Sequence, residues 1–522
     1  MATRAAEDIQ QLAPNIIEDL ASALEQVPID TYGDEQWVDQ HVELERLSMQ
    51  ATLNVRMGVA ETVSDALLSF DKVGIWMFIL VDRQCTQESS ELTLVQDPQV
   101  PTLIHQLLVA RTWKRNVYPL VRKAIAKNAS ILAHAMIQHE ATLLNLLQTV
   151  LYKKESIDKA GDALVDLIDM LVTHLDYLNS GALDAVKNAA PQKIQSPTDL
   201  LSVPEHETLA EQSAKLEYET AWTALAALCH LTHHLAQFPL AVLARLINTR
   251  DILPSLVYLL EGKPWERRLA GRAGVERFED GRWVARTGED VLLVAKPEAH
   301  AWMAVANLVL DPEVQRRYEM TEHRRATLIK LTAHFERNTT LLTQLPFLEP
   351  VYRYLLHVQM AEVPAGVAAT LGVLVEAMPH FAPVTRDWPA LATRQLALWT
   401  PKANRKLADK LARAYDWTWL EELAPEPPKC ATCGQSAEHR CAKCRSEWYC
   451  GRACQVKAWK AHKPVCALLE ASAGLEKGGA GGASGAKLSK YLKVAEVDQK
   501  QPAVRARGSM MTDGARIVEL VD

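Results

Sequence analysis

Residues 430–466 hold seven of the chain's nine cysteines, spaced Cys430-x2-Cys433-x7-Cys441-x2-Cys444-x5-Cys450-x3-Cys454 and followed by x7-His462-x3-Cys466. These eight soft ligands are enough for two tetrahedral zinc ions with four ligands each. The two CxxC pairs belong on turns, where two sulfurs can approach one ion. Cys450 and Cys454 are four apart, as are His462 and Cys466, so each pair would share one face of a helical turn. The preferred assignment is interleaved: Cys430, Cys433, Cys450 and Cys454 on one ion, and Cys441, Cys444, His462 and Cys466 on the other. Spacing alone also permits a sequential assignment. In either case all eight ligands are used and neither ion keeps a position open for water. Closed sites are structural, so the segment reads as a folded interaction module rather than a catalytic zinc centre.

Clustered thiols mean metal more often than disulfides in a reducing compartment. The opening residues show no basic stretch leading into an apolar one, so no secretory signal is expected. The most apolar run, residues 74–81, is too short to span a bilayer. Cys85 and Cys229 stand alone in apolar or mixed surroundings and read as core thiols. A chain of 522 residues has room for two to four domains, and 48% hydrophobic with 23% charged residues suits a soluble globular protein. A net charge of −7 is mild and argues against the chain as a whole binding polyanions.

From about residue 14 to 425 the pattern predicts a mainly α fold. Leu164, Leu167, Ile168, Leu171, Leu175 and Leu178 recur at steps of three and four, as on one helix face. Residues 142–151, 217–236 and 327–335 carry similar stripes. Many helices with short connections suggest an armadillo- or HEAT-like solenoid or stacked bundles, although no clean repeat period is visible. Asp280-Gly281, between Phe278 and Trp283, predicts a tight hairpin turn. Residues 74–100 stand out as an insertion without an assigned structure. Prolines at 425, 427 and 428 make a stiff spacer before the cysteine cluster. After Cys466, a short helix over 467–475 leads to a flexible GGAGGASGA linker and a weakly patterned tail, together 476–522.

The spacing of the eight ligands resembles a MYND finger. So do the flanking residues: Trp448-Tyr449-Cys450, Cys454-Gln455, Trp459 and His462-Lys463. The resemblance implies interleaved ligation and a role in binding short proline-containing peptides. It also implies that Gln455 and Trp459, four apart on a helix, line the peptide groove. Simple packing of Trp459 on the zinc core and solvation of Gln455 are the plainer alternatives. Further blocks at 35–54, 101–120, 139–155, 264–271 and 277–284, with LAPEPPKCATC at the finger's start, resemble the zinc finger MYND domain-containing protein ten family. This resemblance covers most of residues 35–466. It implies a cytoplasmic factor for preassembly of axonemal dynein arms in motile cilia. The factor would be a helical scaffold presenting dynein chains to chaperones. Its implied partners are a leucine-rich-repeat dynein assembly factor, an FK506-binding-type immunophilin and the heat-shock chaperone machinery. Segment 74–100 departs from the family, since Lys72-Val73 would otherwise join Pro101-Thr102. The tail after about residue 475 has no counterpart.

Other constellations carry less. His139-Glu140 begins an HExxH string, but residue 143 is Leu. His230 and His234 lack a third ligand at a suitable spacing. No phosphate-binding GxxxxGK[ST] or GxGxxG loop occurs. Lys443, Arg445, Arg452, Lys457, Lys460 and Lys463 read as a solvated face or a groove for acidic or polar peptides rather than a nucleic-acid surface. The expectation is therefore a non-enzymatic adaptor with two structural zinc ions and no membrane span. The alternatives are a MYND-bearing transcriptional corepressor and, further off, a SET-type lysine methyltransferase.

Overall fold

The computed structural model describes residues 12–68, 99–127, 131–180, 205–268, 274–279, 282–338, 340–360, 381, 386–399, 406–407, 410–411, 430–444 and 447–475. They form two compact units, one within residues 12–411 and one within residues 430–475.

The first unit is mainly helical. It begins with α1 (Pro14–Ser22), α2 (Glu35–Met57), α3 (Thr62–Leu68), α4 (Gln99–Asn116), α5 (Tyr118–Lys127), α6 (Ile131–Leu151), α7 (Glu155–Ala160) and α8 (Ala163–Asn179). Then come α9 (Glu205–His233), α10 (Leu240–Ala244), α11 (Ile252–Gly262) and a small sheet. The remaining helices are α12 (Lys296–Leu310), α13 (Pro312–Arg317), α14 (Glu322–Ile329), α15 (Thr332–Arg337), α16 (Leu341–Gln344), α17 (Glu349–Met360) and α18 (Trp388–Gln395). Lengths run from 4 residues in α16 to 29 in α9. No described helix is long and apolar enough to cross a membrane.

Local chemistry sets the helix ends. The Asp34 carboxylate caps α2 by accepting from Trp37 N at 3.0 Å, and Gly58 closes it in the left-handed conformation at φ 63°. α6 is apolar around most of its circumference, as a central helix must be. It packs on α2, α4 and α9, and α9 packs also on α8 and α12. Trp37, Trp113, Trp265 and Trp302 are fully buried in this core. Truncating such a side chain to Ala costs about 3–5 kcal/mol.

The core also holds polar groups in pairs. Tyr32 Oη donates to Met136 O at 2.8 Å, and His41 Nδ1 lies 2.9 Å from His139 Nδ1. Burial pushes His41 down to about 3 and His139 well below the usual imidazole value, so both rings are neutral. Beside them, Glu140 takes Arg111, Lys114 and His174, and neither His139 nor Glu140 belongs to a metal group. α18 seals the N-terminal helices. Gln395 accepts from Trp113 Nε1 at 2.8 Å and donates to Ile29 O at 3.1 Å.

The expected helix at 163–178 is α8, and 142–151 is the second half of α6. The stripe at 217–236 is the end of α9, which stops at His233. Residues 327–335 are not one helix. The backbone breaks at Lys330 and Leu331, flanked by Thr327 and Thr332, whose hydroxyls bond the carbonyls of His323 and Ile329. Such bonds compete with the helix, and the break sets Leu331 into the core. Strands β1 (Glu266–Arg268), β2 (Val275–Glu279) and β3 (Arg282–Arg286) form an antiparallel sheet in that order. Phe278 pairs with Trp283 and Glu279 with Arg282, the register the expected hairpin requires, while Asp280 and Gly281 themselves lie outside the described residues. Arg277 on β2 is 2% exposed. It donates to Glu266 and to the carbonyls of Asp290, Val291 and Leu293, tying the sheet to the following loop.

His230 meets the rings of Tyr152 and His300, and His234 bonds Tyr152 O, so neither belongs to a metal group. Cys229 is a buried core thiol, pushed up to about 12 by burial. Residues 74–98, Cys85, the proline spacer, the glycine linker and the tail 476–522 lie outside the described residues, while Gln99 and Val100 open α4.

Candidate metal centre

The second unit has little apolar material. Its small core consists of Cys430, Ala437, Cys441, Cys444, Tyr449 and Cys466. Two short strands, β4 (His439–Arg440) and β5 (Trp448–Tyr449), pair antiparallel, and one helix, α19 (Arg452–Leu475), follows. The expected helix over 467–475 is the end of α19.

Each CxxC pair lies on a turn, as its spacing requires. In the first turn Gly434 adopts φ 72°, which lets its N–H reach Cys430 O at 2.9 Å. Ala431 N bonds Trp448 O, and Thr432 Oγ1 bonds Cys454 O. The first turn is thus held against the end of β5 and the start of α19. Cys441 N bonds Glu447 O, which holds the second turn to the β4–β5 connection. Cys450 is not on a helix with Cys454, because α19 starts at Arg452. His462 and Cys466 do share a face of α19. Cys454 and His462 are eight residues apart, so α19 reaches the two groups about 12 Å apart along its axis.

Cys430, Cys433, Cys450 and Cys454 come together, as do Cys441, Cys444, His462 and Cys466, and within each group all ligand atoms lie within 4.8 Å of one another. The grouping is interleaved. Sulfur–sulfur distances are 3.5 Å for Cys433–Cys450 and Cys450–Cys454, and 3.8 Å for Cys441–Cys466. Cys444 Sγ lies 3.5 Å from His462 Nε2. Zinc–sulfur bonds of about 2.3 Å give tetrahedral edges of about 3.8 Å, and a nitrogen ligand shortens its edges to about 3.6 Å. The observed distances are therefore those of ligands around an ion, far longer than a disulfide bond.

Electrostatics agree with the geometry. Burial opposes ionisation of Cys430, but backbone N–H groups of Cys450, Thr432 and Cys433 outweigh it and bring the thiol to about 6. Cys441 also falls to about 6, where backbone groups of Cys444 and Lys443 and the side chains of His462 and Cys444 overcome burial. Cys450 is pushed up to about 12 by its contacts with Cys433, Cys454 and Cys430, and Cys466 to about 12 by burial and then Cys441. Crowded thiolates repel, so full deprotonation of either group needs a cation among them. The four-sulfur group and the three-sulfur, one-imidazole group fit two structural Zn²⁺ ions.

Glu447 completes the second group. It is 1% exposed, and its carboxylate lies 2.5 Å from His462 Nδ1 while accepting from Tyr449 Oη at 2.5 Å. A carboxylate on Nδ1 fixes the tautomer that leaves Nε2 free for an ion. Sequence reasoning missed Glu447, because its role depends on the β4–β5 pairing and no ligand spacing marks it.

Residues 430–466 are a MYND finger. Over 465 residues the chain is also similar to the zinc finger MYND domain-containing protein 10 homolog of Drosophila melanogaster, at 25% identity, covering 83% of this chain and 94% of that protein. The family resemblance read from the sequence blocks is thereby borne out. No solved structure matches the chain. On the MYND finger's helix, Gln455 is half-buried and Trp459 is 39% exposed, with the indole edge-on to His462 at 5.9 Å between centroids.

Proposed function

We infer that the protein is a non-enzymatic adaptor, acting with chaperones in the cytoplasmic preassembly of axonemal dynein arms for motile cilia. The similarity to a relative of the zinc finger MYND domain-containing protein 10 type along most of both chains carries this reading. The division of labour follows the sequence: a helical scaffold over residues 14–425, the finger at 430–466, and a linker and tail at 476–522. The finger captures a proline-containing peptide of a partner, with Trp459 as the apolar anchor and Gln455 beside it. A large aromatic left partly open beside a rigid metal core is the kind of residue that supplies binding energy at a small interface. A proline-bearing peptide is already extended and loses less entropy on docking. The partners in this reading are a leucine-rich-repeat dynein assembly factor, an immunophilin and heat-shock chaperones. Dynein chains are the clients, and the place of work is the cytoplasm near the basal body.

The test is affinity purification from motile-ciliated cells with wild type and Trp459→Ala side by side, read by mass spectrometry. Dynein chains and chaperones are expected with the wild type, and the variant should lose one partner selectively. Recovery of chromatin proteins in their place would overturn the reading in favour of a corepressor.

A further inference from the structure

Helices α4, α5, α8 and α9 line an open cavity of about 500 Å³. Arg111, Lys114 and Arg115, at helical spacing on α4, and Arg122 of α5 line one side, with Ser213 and Glu217 of α9 also in the lining. The floor is charge-balanced. Arg111 and Lys114 each bridge Glu140 and Glu217, at 3.2 and 2.5 Å for Arg111 and at 3.0 and 2.9 Å for Lys114. Both cations are raised above their ordinary values, since the two carboxylates outweigh burial. The rim is not balanced. Arg115 and Arg122 are exposed, and neither has an ion-pair partner among the described residues. Two unpaired guanidinium groups thus converge on one cavity of a chain whose net charge is −7.

We propose that this cavity binds a small phosphate-bearing molecule, with the phosphate held by Arg115 and Arg122 at the mouth, above the Arg111–Lys114 floor. Guanidinium forks match phosphate oxygens, and a phosphate monoester brings more charge and one more acceptor oxygen than a carboxylate. It can therefore answer both arginines at once. The volume lies in the range of small-ligand sites and exceeds what one phosphate fills. The surplus suits an organic carrier between the Tyr118 and Tyr177 side chains that also line the cavity. A scattered basic surface would show neither the concave volume nor the paired cations beneath it.

Isothermal titration calorimetry on the full zinc-loaded chain, with tripolyphosphate as probe, tests this. One molecule per chain is expected to bind. The double variant Arg115→Gln/Arg122→Gln should weaken binding by about tenfold or more, as loss of charge-assisted contacts does. Ala214→Glu, which sets a carboxylate at an exposed position on the cavity wall, should do the same. These positions are exposed, and circular dichroism checks that each variant is folded. Arg316→Gln/Arg353→Gln, removing two exposed arginines elsewhere, should bind like wild type. Equal binding by every variant, or none by the wild type at millimolar probe, overturns the site. A hexaglutamate peptide that binds more tightly than tripolyphosphate with the same variant dependence overturns phosphate as its ligand.

Discussion

His462 offers one ring nitrogen to an ion because Glu447 holds the other. Glu447→Gln should therefore keep the fold of the finger yet weaken its second zinc group by about 10–100-fold, the usual cost of removing such a partner. Competition with a chromophoric chelator would show one of two zinc ions leaving early, and unchanged release of both would refute the orienting role. The His41–His139 pair bears on acid stability. Both rings have folded values below the ordinary imidazole value, so the folded protein declines protons that the unfolded chain accepts. Their contribution is complete above about pH 6.5 and falls as pH drops below it, by up to about 1.4 kcal/mol per pH unit for each ring. His139→Leu should make the loss of stability between pH 6 and pH 4 shallower by about one such increment. Denaturant melts across that range would decide it, and an unchanged slope would sink the assignment.

At the scale of elements, Arg277 ties the hairpin to the loop after it through one carboxylate and three carbonyls. Arg277→Ala should cost about 3–5 kcal/mol, because the buried partners are left unpaired. Arg277→Lys should recover little of that, since an ammonium cannot reach as many acceptors as a fork. Hydrogen exchange at residues 288–293 would report the loosening in both variants. The strand pairing on either side of Asp280-Gly281 was legible, because Asp-Gly between aromatic-bearing flanks favours a tight turn. The α8 face was legible too, because its leucines keep one period for four turns. The break between α14 and α15 was not, since it depends on threonine hydroxyls competing with the backbone. The eight finger ligands were plain from spacing. Their interleaving was not settled by spacing, since it needs the β4–β5 pairing and the length of α19. The Arg115–Arg122 cavity was hidden, because those two arginines sit on successive helices but the wall opposite them comes from α8 and α9, far along the chain.

At the scale of the molecule, the apolar core of the helices and the thiol-rich core of the finger are separate clusters. Stripping zinc with a strong chelator should abolish the finger's folding transition in calorimetry and leave the helical unit's transition in place. Cys441→Ser should behave the same way and retain fewer than two zinc ions per chain. Loss of both transitions together would show that the units do not fold independently. Gln395 has a further consequence, through its bonds to Trp113 and to Ile29, which lie 282 and 366 residues away along the chain. A ribosome adding roughly 5–20 residues per second makes Gln395 some tens of seconds after Ile29. Throughout that interval the earliest helices wait with an unsealed seam around Trp113. A reading frame that stops before residue 386 yields every helix up to α17 and still leaves the seam open. A protein proposed to shepherd other chains through assembly is therefore itself, while being made, a chain in need of shelter.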